Sequence, residues 1–356
     1  MVAFSEFRVA SSAGGYDVVV GDGTFAETLA DSADDVVVVD AALAALVPAR
    51  HAPVLTVAAD EASKTLAGCE QLILALREAG VRRGDRVLAV GGGIVQDVAT
   101  FVSDVYMRGL AWRYVPTTLM AMADSCLGGK SSINVGGVKN LVGGIYPPQA
   151  VVVDPTFLAT LPTSAVAAGL SEAAKIAFCR GPEAFDTYLD HYSQFGASPS
   201  ALIDHVLQAK RWFVEIDEHD VRERRLLNFG HTFGHALESA VGNRLSHGLA
   251  VAAGVLCAIE HPKASRSDLT DALGAHCRAL LGSADEVVPA LAHFDAERFE
   301  RAFRSDKKHS AHSFRLILPA VDGGVAEVEV DADDAGWTVV DHVARTTIET
   351  LSGRTA

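Results

Sequence analysis

Short apolar runs and helical repeats alternate along the first part of this chain. Residues 7–9 and 16–20 are β-rich and flank Ser11-Ser12-Ala13-Gly14-Gly15, which predicts a hairpin. Residues 36–39 are wholly apolar and end at Asp40, the pattern of a parallel strand buried on both faces. Residues 54–57 and 86–90 are mainly apolar and predict two more buried strands, the second followed at once by Gly91-Gly92-Gly93. Residues 112–115 and 151–153 complete a sheet. Residues 61–79 repeat apolar positions with a helical period and stop at Gly80, and residues 97–106 are helix-like. Strands alternating with helices predict an α/β domain with a parallel core. After Asp154-Pro155 long helical patterns run from about residue 164 to residue 304, and β patterns return only at 314–318 and 325–330. The expected domains are residues 1–160 and residues 161–356. Ligands of α/β sheets bind at the carboxyl ends of the strands, so a cleft between the domains is expected.

Composition narrows the function. The 356 residues are 49% hydrophobic and 21% charged, as in a soluble globular protein long enough for two cores. A formal net charge of −15 argues against nucleic acid or an anionic membrane as a partner. An acidic protein that takes an anionic substrate needs a local cluster of Lys, Arg and His. Five scattered cysteines (Cys69, Cys126, Cys179, Cys257, Cys277) lack C-x-x-C spacing and fit a reducing cytoplasm. Met1-Val2-Ala3-Phe4-Ser5-Glu6 lacks the pattern of a signal peptide, and no apolar run is long enough to span a bilayer.

The chemistry concentrates in a few motifs. His231 and His235 are four apart in a helical stretch and so share a face, with His247 twelve residues beyond His235. A divalent metal site is one reading, and helix histidines satisfied by backbone or water are the other. Glu172 and Lys175 lie one turn apart in a segment that is otherwise nearly all apolar. A buried pair there needs partners, and a metal would serve Glu172, whereas an exposed intrahelical ion pair needs none. Gly91-Gly92-Gly93 opens a helix after a strand and suits either a pyrophosphate or a tight turn. Asp40 is placed to meet a ribose hydroxyl or to cap a helix. The stretch from Asp124 to Asn140 holds Lys130, Lys139, Asn134 and Asn140 among glycines, suited to a phosphate or to a surface loop. Lys210, Arg224, Asn228, Lys307 and Lys308 supply a basic cluster if they converge, or a solvated face if they do not.

Taken in order, GGGIVQD, YMRG, VPTTL, DSCLGGK, GGVKN, Glu172-x-x-Lys175 and LLNFGHTFGH with His247 resemble the sugar-phosphate cyclases, and within them the 3-dehydroquinate synthases. The resemblance runs from Asp40 to Lys308. It implies an N-terminal NAD-binding, Rossmann-like α/β domain and a mainly α-helical metal- and substrate-binding domain. It implies Glu172, His231 and His247 as ligands of Zn²⁺ or Co²⁺. It implies an NAD site of Asp40, Glu61, Lys64, Gly92, Gly93, Asp97, Thr117, Thr118, Asp124, Ser125, Lys139 and Thr160. Substrate contacts fall to Lys130, Asn140, Lys175, Lys210, Arg224, Asn228, His235 and Lys307 or Lys308, with Lys130, Asn140 and His235 toward the phosphate. Arg108 would reach the phosphate site of the neighbouring subunit in a homodimer.

The implied reaction converts a seven-carbon keto-acid sugar phosphate, 3-deoxy-D-arabino-heptulosonate 7-phosphate, to 3-dehydroquinate with release of phosphate. That places it in the shikimate route to aromatic amino acids. The amino analogue, giving aminodehydroquinate, would place it in an antibiotic pathway. Lys210 and Arg224 suit a substrate carboxylate and disfavour 2-deoxy-scyllo-inosose and epi-valiolone synthesis. The alternatives are such a cyclase, a metal-dependent polyol or alcohol dehydrogenase, and a non-catalytic sugar-phosphate sensor. The chain departs from the family pattern at Ala42, at Ser131-Ser132-Ile133, at Ser164-Ala165, and at Leu249, where a glutamate usually follows His-Gly.

Overall fold

The computed structural model describes residues 4–353; residues 1–3, part of the N-terminal stretch considered above, lie outside the described residues. The chain forms two compact units, Met1–Leu161 with Gln194–His219, and Pro162–Ser193 with Asp220–Ala356.

The first unit is built on one sheet. Its elements are β1 (Ser5–Val9), β2 (Tyr16–Val20), α1 (Thr24–Asp31), β3 (Val36–Asp40), β4 (Val54–Val57), α2 (Leu66–Glu78), β5 (Arg86–Gly91), α3 (Gly93–Val105), β6 (Ala111–Pro116), β7 (Ile133–Val135), β8 (Val138–Val142) and β9 (Ala150–Val153). The seven-stranded sheet runs β1-β2-β9-β6-β5-β3-β4. β1 pairs antiparallel with β2, and every other neighbouring pair is parallel. Val36 to Val39 and Val87 to Val90 are buried, as strands covered on both faces must be. β4 differs from the buried strand expected there. It is the last strand of the sheet, and Val54 is exposed because no strand lies beyond it. α2 also starts later than its apolar period suggests. The Thr65 side chain accepts from Gly68 N–H and sets the N-terminus, so Glu61 and Lys64 precede the helix. α3 starts earlier than expected, directly on the glycines. β7 and β8 form a separate antiparallel hairpin turning at Gly136-Gly137.

α4 (Thr163–Arg180) and α5 (Pro182–Ser193) belong to the second unit, but α6 (Pro199–Ile216) returns to the first. A single boundary at residue 160 therefore misplaces α6. Its buried face, Leu202, Ile203, Val206, Leu207 and Phe213, packs toward β1, β2 and the π-helical turn Ala121–Ser125. Ser5 Oγ donates to Asp204 at 2.5 Å, and Ala10 N–H donates to Glu215 at 2.9 Å.

The second unit continues through α7 (His231–Ala240), α8 (His247–Glu260), α9 (Asp268–Gly282), α10 (Val287–Leu291), α11 (Ala296–Arg304), the hairpin β10 (Ser313–Pro319) and β11 (Val325–Asp331), and α12 (Asp334–Leu351). α8 is apolar almost throughout and forms the centre, packed against α4, α7 and α9. Glycines let these backbones approach. A Cβ on Gly254 would lie 2.0 Å from the Gly230 carbonyl oxygen, and one on Gly248 would lie 2.2 Å from that of Ala168. That approach sets the distance between the histidines of α7 and the first residue of α8. No described helix is long and apolar enough to cross a membrane.

Candidate functional site

Three histidines and a glutamate gather in the helical unit. His231 opens α7 and His247 opens α8, so each projects from a helix N-terminus. Glu172 comes from the middle of α4 and is 1% exposed. Its Oε2 accepts from the buried Lys175 ammonium one turn on. Its Oε1 lies 3.4 Å from His247 Nε2 and 3.7 Å from His231 Nε2, and has no hydrogen-bond partner. A buried carboxylate oxygen left in this way costs free energy unless a cation satisfies it. Two donors each about 2.1 Å from a tetrahedral ion lie about 3.4 Å apart, so the spacing fits a shared metal. The ring centroids of His231, His235 and His247 are 5.2–5.4 Å apart. One nitrogen from each lies within 4.8 Å of the others, so His235 also reaches the cluster, although it is exposed.

The electrostatics fit a cation. Burial raises the Glu172 carboxyl, but Lys175 and then His247 outweigh it and hold the group below the usual carboxylate range. Burial, followed by the charges of Lys175, His235, His247 and Lys308, holds His231 well below its ordinary value, so its ring is neutral. Burial lowers His247 too, but the neighbouring carboxylates of Glu172 and Glu238 outweigh it and lift it to about 9. A cation bound between Glu172 and His247 would take the place of a proton on the ring.

In the first unit the candidate residues collect at the carboxyl edge of the sheet. Asp40 ends β3, Gly92 and Gly93 follow β5, and Thr117 and Thr118 follow β6. Gly92 is the N-cap of α3 with no side-chain cap, and a Cβ there would meet Thr118 Cγ2 at 2.9 Å. The turn therefore stays open only with glycine, as close approach of a pyrophosphate to backbone N–H groups requires. Ser125 exchanges hydrogen bonds with Gln96 of α3, both at 2.6 Å. Lys64 pairs with Asp97 at 2.6 Å, and Ser132 N–H donates to the other Asp97 oxygen at 2.8 Å. Burial pushes Asp97 up to about 6 despite the Lys64 ammonium. Asn134 donates to Glu61 at 2.7 Å and its backbone N–H donates to the Lys64 carbonyl at 2.9 Å. Asp40 accepts from Ala42 N–H, a cap on the turn that follows. Thr160, exposed, donates to the Phe157 carbonyl, and Lys139 is exposed on β8.

The basic residues separate by unit. In the first, Lys210 is buried and donates to both the backbone carbonyl and the carboxylate of Asp124. Lys130 is half-buried and bridges Ile145, and exposed Asn140 has φ 55° with its N–H bonded to Asn134. Arg108 is exposed in the turn Tyr106–Arg108, where Met107 and Arg108 both have positive φ. In the second, Arg224 is 4% exposed in the 3₁₀ turn Glu223–Asn228 that leads into α7. Asn228 donates to the Arg225 carbonyl at 2.9 Å. Lys307 is exposed, whereas Lys308, 3.0 Å from Asp306, is the lysine whose charge acts on His231 and His235. Sequence reasoning missed Glu238, whose Oε2 lies 3.4 Å from His247 Nδ1. The signal was available: Glu238 stands three residues after His235 and seven after His231, on one helical face.

A parallel α/β unit with a Gly-rich strand-to-helix turn, together with a helical unit carrying a carboxylate–imidazole cluster, defines a two-unit enzyme of the sugar-phosphate cyclase architecture. The chain belongs to the 3-dehydroquinate synthase family of phosphate-eliminating carbon–oxygen lyases. The family's N-terminal model matches residues 54–168 and its C-terminal model residues 169–309. The 3-dehydroquinate synthase of Lactiplantibacillus plantarum is 44% identical over 205 residues, 57% of each chain, so this alignment spans little more than half of that relative. That of Xanthomonas axonopodis pv. citri is 38% identical over 311 residues, 83% of this chain and 82% of the relative. The structure of 2-epi-5-epi-valiolone synthase from Streptomyces hygroscopicus subsp. jinggangensis, with NAD⁺ and Zn²⁺ bound, superposes with a TM-score of 0.79 at 25% identity, covering 98% of this chain and 100% of that one.

Proposed function

We propose that this chain converts 3-deoxy-D-arabino-heptulosonate 7-phosphate, or its amino analogue, to 3-dehydroquinate, or aminodehydroquinate, with release of phosphate, using NAD and a divalent metal. The observation that carries the reading is the buried Glu172 Oε1, which makes no hydrogen bond, beside two imidazole nitrogens. Glu172, His231 and His247 would hold Zn²⁺ or Co²⁺. The open turn at Gly92 and Gly93, with Thr118, Asp124 and Ser125 around it, would take NAD. The metal would supply Lewis-acid polarisation of substrate oxygens, and NAD⁺ would supply a hydride acceptor that takes a hydride from the substrate and returns it within one turnover.

The protein's own groups do the rest. Lys175 neutralises one oxygen of Glu172 and so keeps the other directed at the imidazoles. Arg224, with its planar fork of donors, would bind the substrate carboxylate, and Lys210, paired with Asp124, would contact the substrate by exchanging that partner. Lys130 and Asn140 would bind the phosphate, and His235, neutral at the rim of the histidine cluster, would move the proton that elimination requires. Arg108 acts on the neighbouring subunit of a homodimer. Five free, buried cysteines support a place in the reducing cytoplasm.

A phosphate-release assay tests the reading, with NAD⁺ and Co²⁺ or Zn²⁺ present. The carboxylated heptulosonate phosphate and its amino analogue are compared with sedoheptulose 7-phosphate and glucose 6-phosphate. Turnover of the carboxylated substrates alone is expected. Turnover of sedoheptulose 7-phosphate instead would overturn the assignment to a carboxylate.

A further inference from the structure

His247 is held on both sides. Its Nε2 faces Glu172 Oε1 at 3.4 Å, and its Nδ1 faces Glu238 Oε2, also at 3.4 Å. Glu238 lies near the end of α7, and its side chain is 14% exposed. Leu249, two residues beyond His247, is fully buried and offers no polar group. The carboxylate at Nδ1 thus comes from α7, not from the helix that carries the histidine. The close approach of α7 and α8 permits this, since a Cβ on Gly234 would lie 2.9 Å from the Ala250 carbonyl oxygen.

We infer that Glu238 is a positioning residue for the metal site. It accepts the Nδ1 proton of His247, fixes the ring orientation, and leaves Nε2 as the nitrogen that binds. A carboxylate behind a ligating imidazole also raises the basicity of the ligand, and losing one costs typically 10- to 100-fold in metal affinity. The inference rests on the reading of Glu172, His231 and His247 as metal ligands, and one control separates the two.

The test strips the full-length protein of metal and titrates Co²⁺ against a competing chelator. Affinity, the visible spectrum of the Co²⁺-saturated protein and the thermal midpoint of the metal-free protein are recorded. Glu238→Gln keeps the shape and removes the charge. It is expected to bind Co²⁺ about 10- to 100-fold more weakly with a displaced visible spectrum, while the metal-free midpoint stays put. Wild-type affinity and spectrum in Glu238→Gln overturn the inference. So does a loss of affinity with an unchanged spectrum and a lowered metal-free midpoint, since that marks a purely structural role. Should Glu238→Gln fail to fold, Glu238→Asp decides: it keeps the charge at shorter reach, and wild-type affinity there overturns the inference. His231→Ala is the control. If it retains wild-type affinity, the ligand assignment itself fails. If it loses metal while Glu238→Gln does not, only the role of Glu238 fails.

Discussion

Glu172 Oε1 lies 3.4 Å from His247 Nε2 inside the helical unit, while the other oxygen of the same carboxylate is taken by Lys175. The two oxygens of one buried group thus have separate duties. Lys175→Met removes the internal cation. The metal-free protein is expected to lose roughly 3–5 kcal/mol, the range for breaking a buried ion pair. Metal should recover part of that loss, because it binds the folded state alone. Chemical denaturation with and without Co²⁺ checks this. An equal loss in both conditions would mean that no cation reaches Glu172.

The spacing of the imidazoles depends on backbone approach between α7 and α8. Gly254→Ala places a methyl 2.0 Å from the Gly230 carbonyl oxygen, one residue before His231. Overpacking of this kind costs about 1–3 kcal/mol or more and pushes the helices apart. Thermal unfolding should show lower stability, and Co²⁺ titration should show weakened binding. Unchanged binding would mean that the two histidines do not need this register.

Lys210 is engaged by Asp124, so its role toward a substrate requires an exchange of partners. Lys210→Ala and Arg224→Ala are each expected to lower kcat/KM for the carboxylated substrate by roughly 10- to 100-fold, about 1.4–2.8 kcal/mol. Steady-state kinetics on substrates with and without the carboxylate measure the effect. Equal losses on both would assign these residues elsewhere.

Asp97 gives a pH prediction. Burial, opposed by Lys64, lifts its carboxyl to about 6 from an ordinary value of 3.8. The folded protein therefore holds a proton that the unfolded chain releases. The stability this group contributes is full below about pH 4 and is lost as pH rises through about 6. Carbon-13 NMR titration of the aspartate carboxyls should find one midpoint near 6, and unfolding between pH 4 and 7 should show a falling contribution. A midpoint at or below 4 would show that the Lys64 pair wins over burial.

Much of this was legible in the sequence, for physical reasons. Wholly apolar runs such as Val36 to Val39 have only one place in an α/β unit, the middle of a parallel sheet. Glu172 and Lys175 stood out because the helix around them offers almost no polar face. Other features were not legible because the sequence carries local information and they are decided at a distance. The apolar face of α6 says that it packs, but not against which unit. Val54 to Val57 has the composition of a buried strand, yet its neighbours make it an edge. Glu238 looks like a solvated glutamate on an amphipathic helix until His247 arrives from the next helix. Lys307 and Lys308 are chemically equivalent neighbours, and only the local turn turns Lys308 toward the histidines.

The most direct measurement follows phosphate and NADH together during turnover of the heptulosonate phosphate, with NAD⁺ at catalytic concentration and a divalent metal present. A phosphate-eliminating cyclase that returns its hydride releases one phosphate per substrate consumed, over many turnovers, with no net NADH. Phosphate release that stops after one equivalent of NAD⁺, or stoichiometric NADH without phosphate, would contradict it and mark a dehydrogenase.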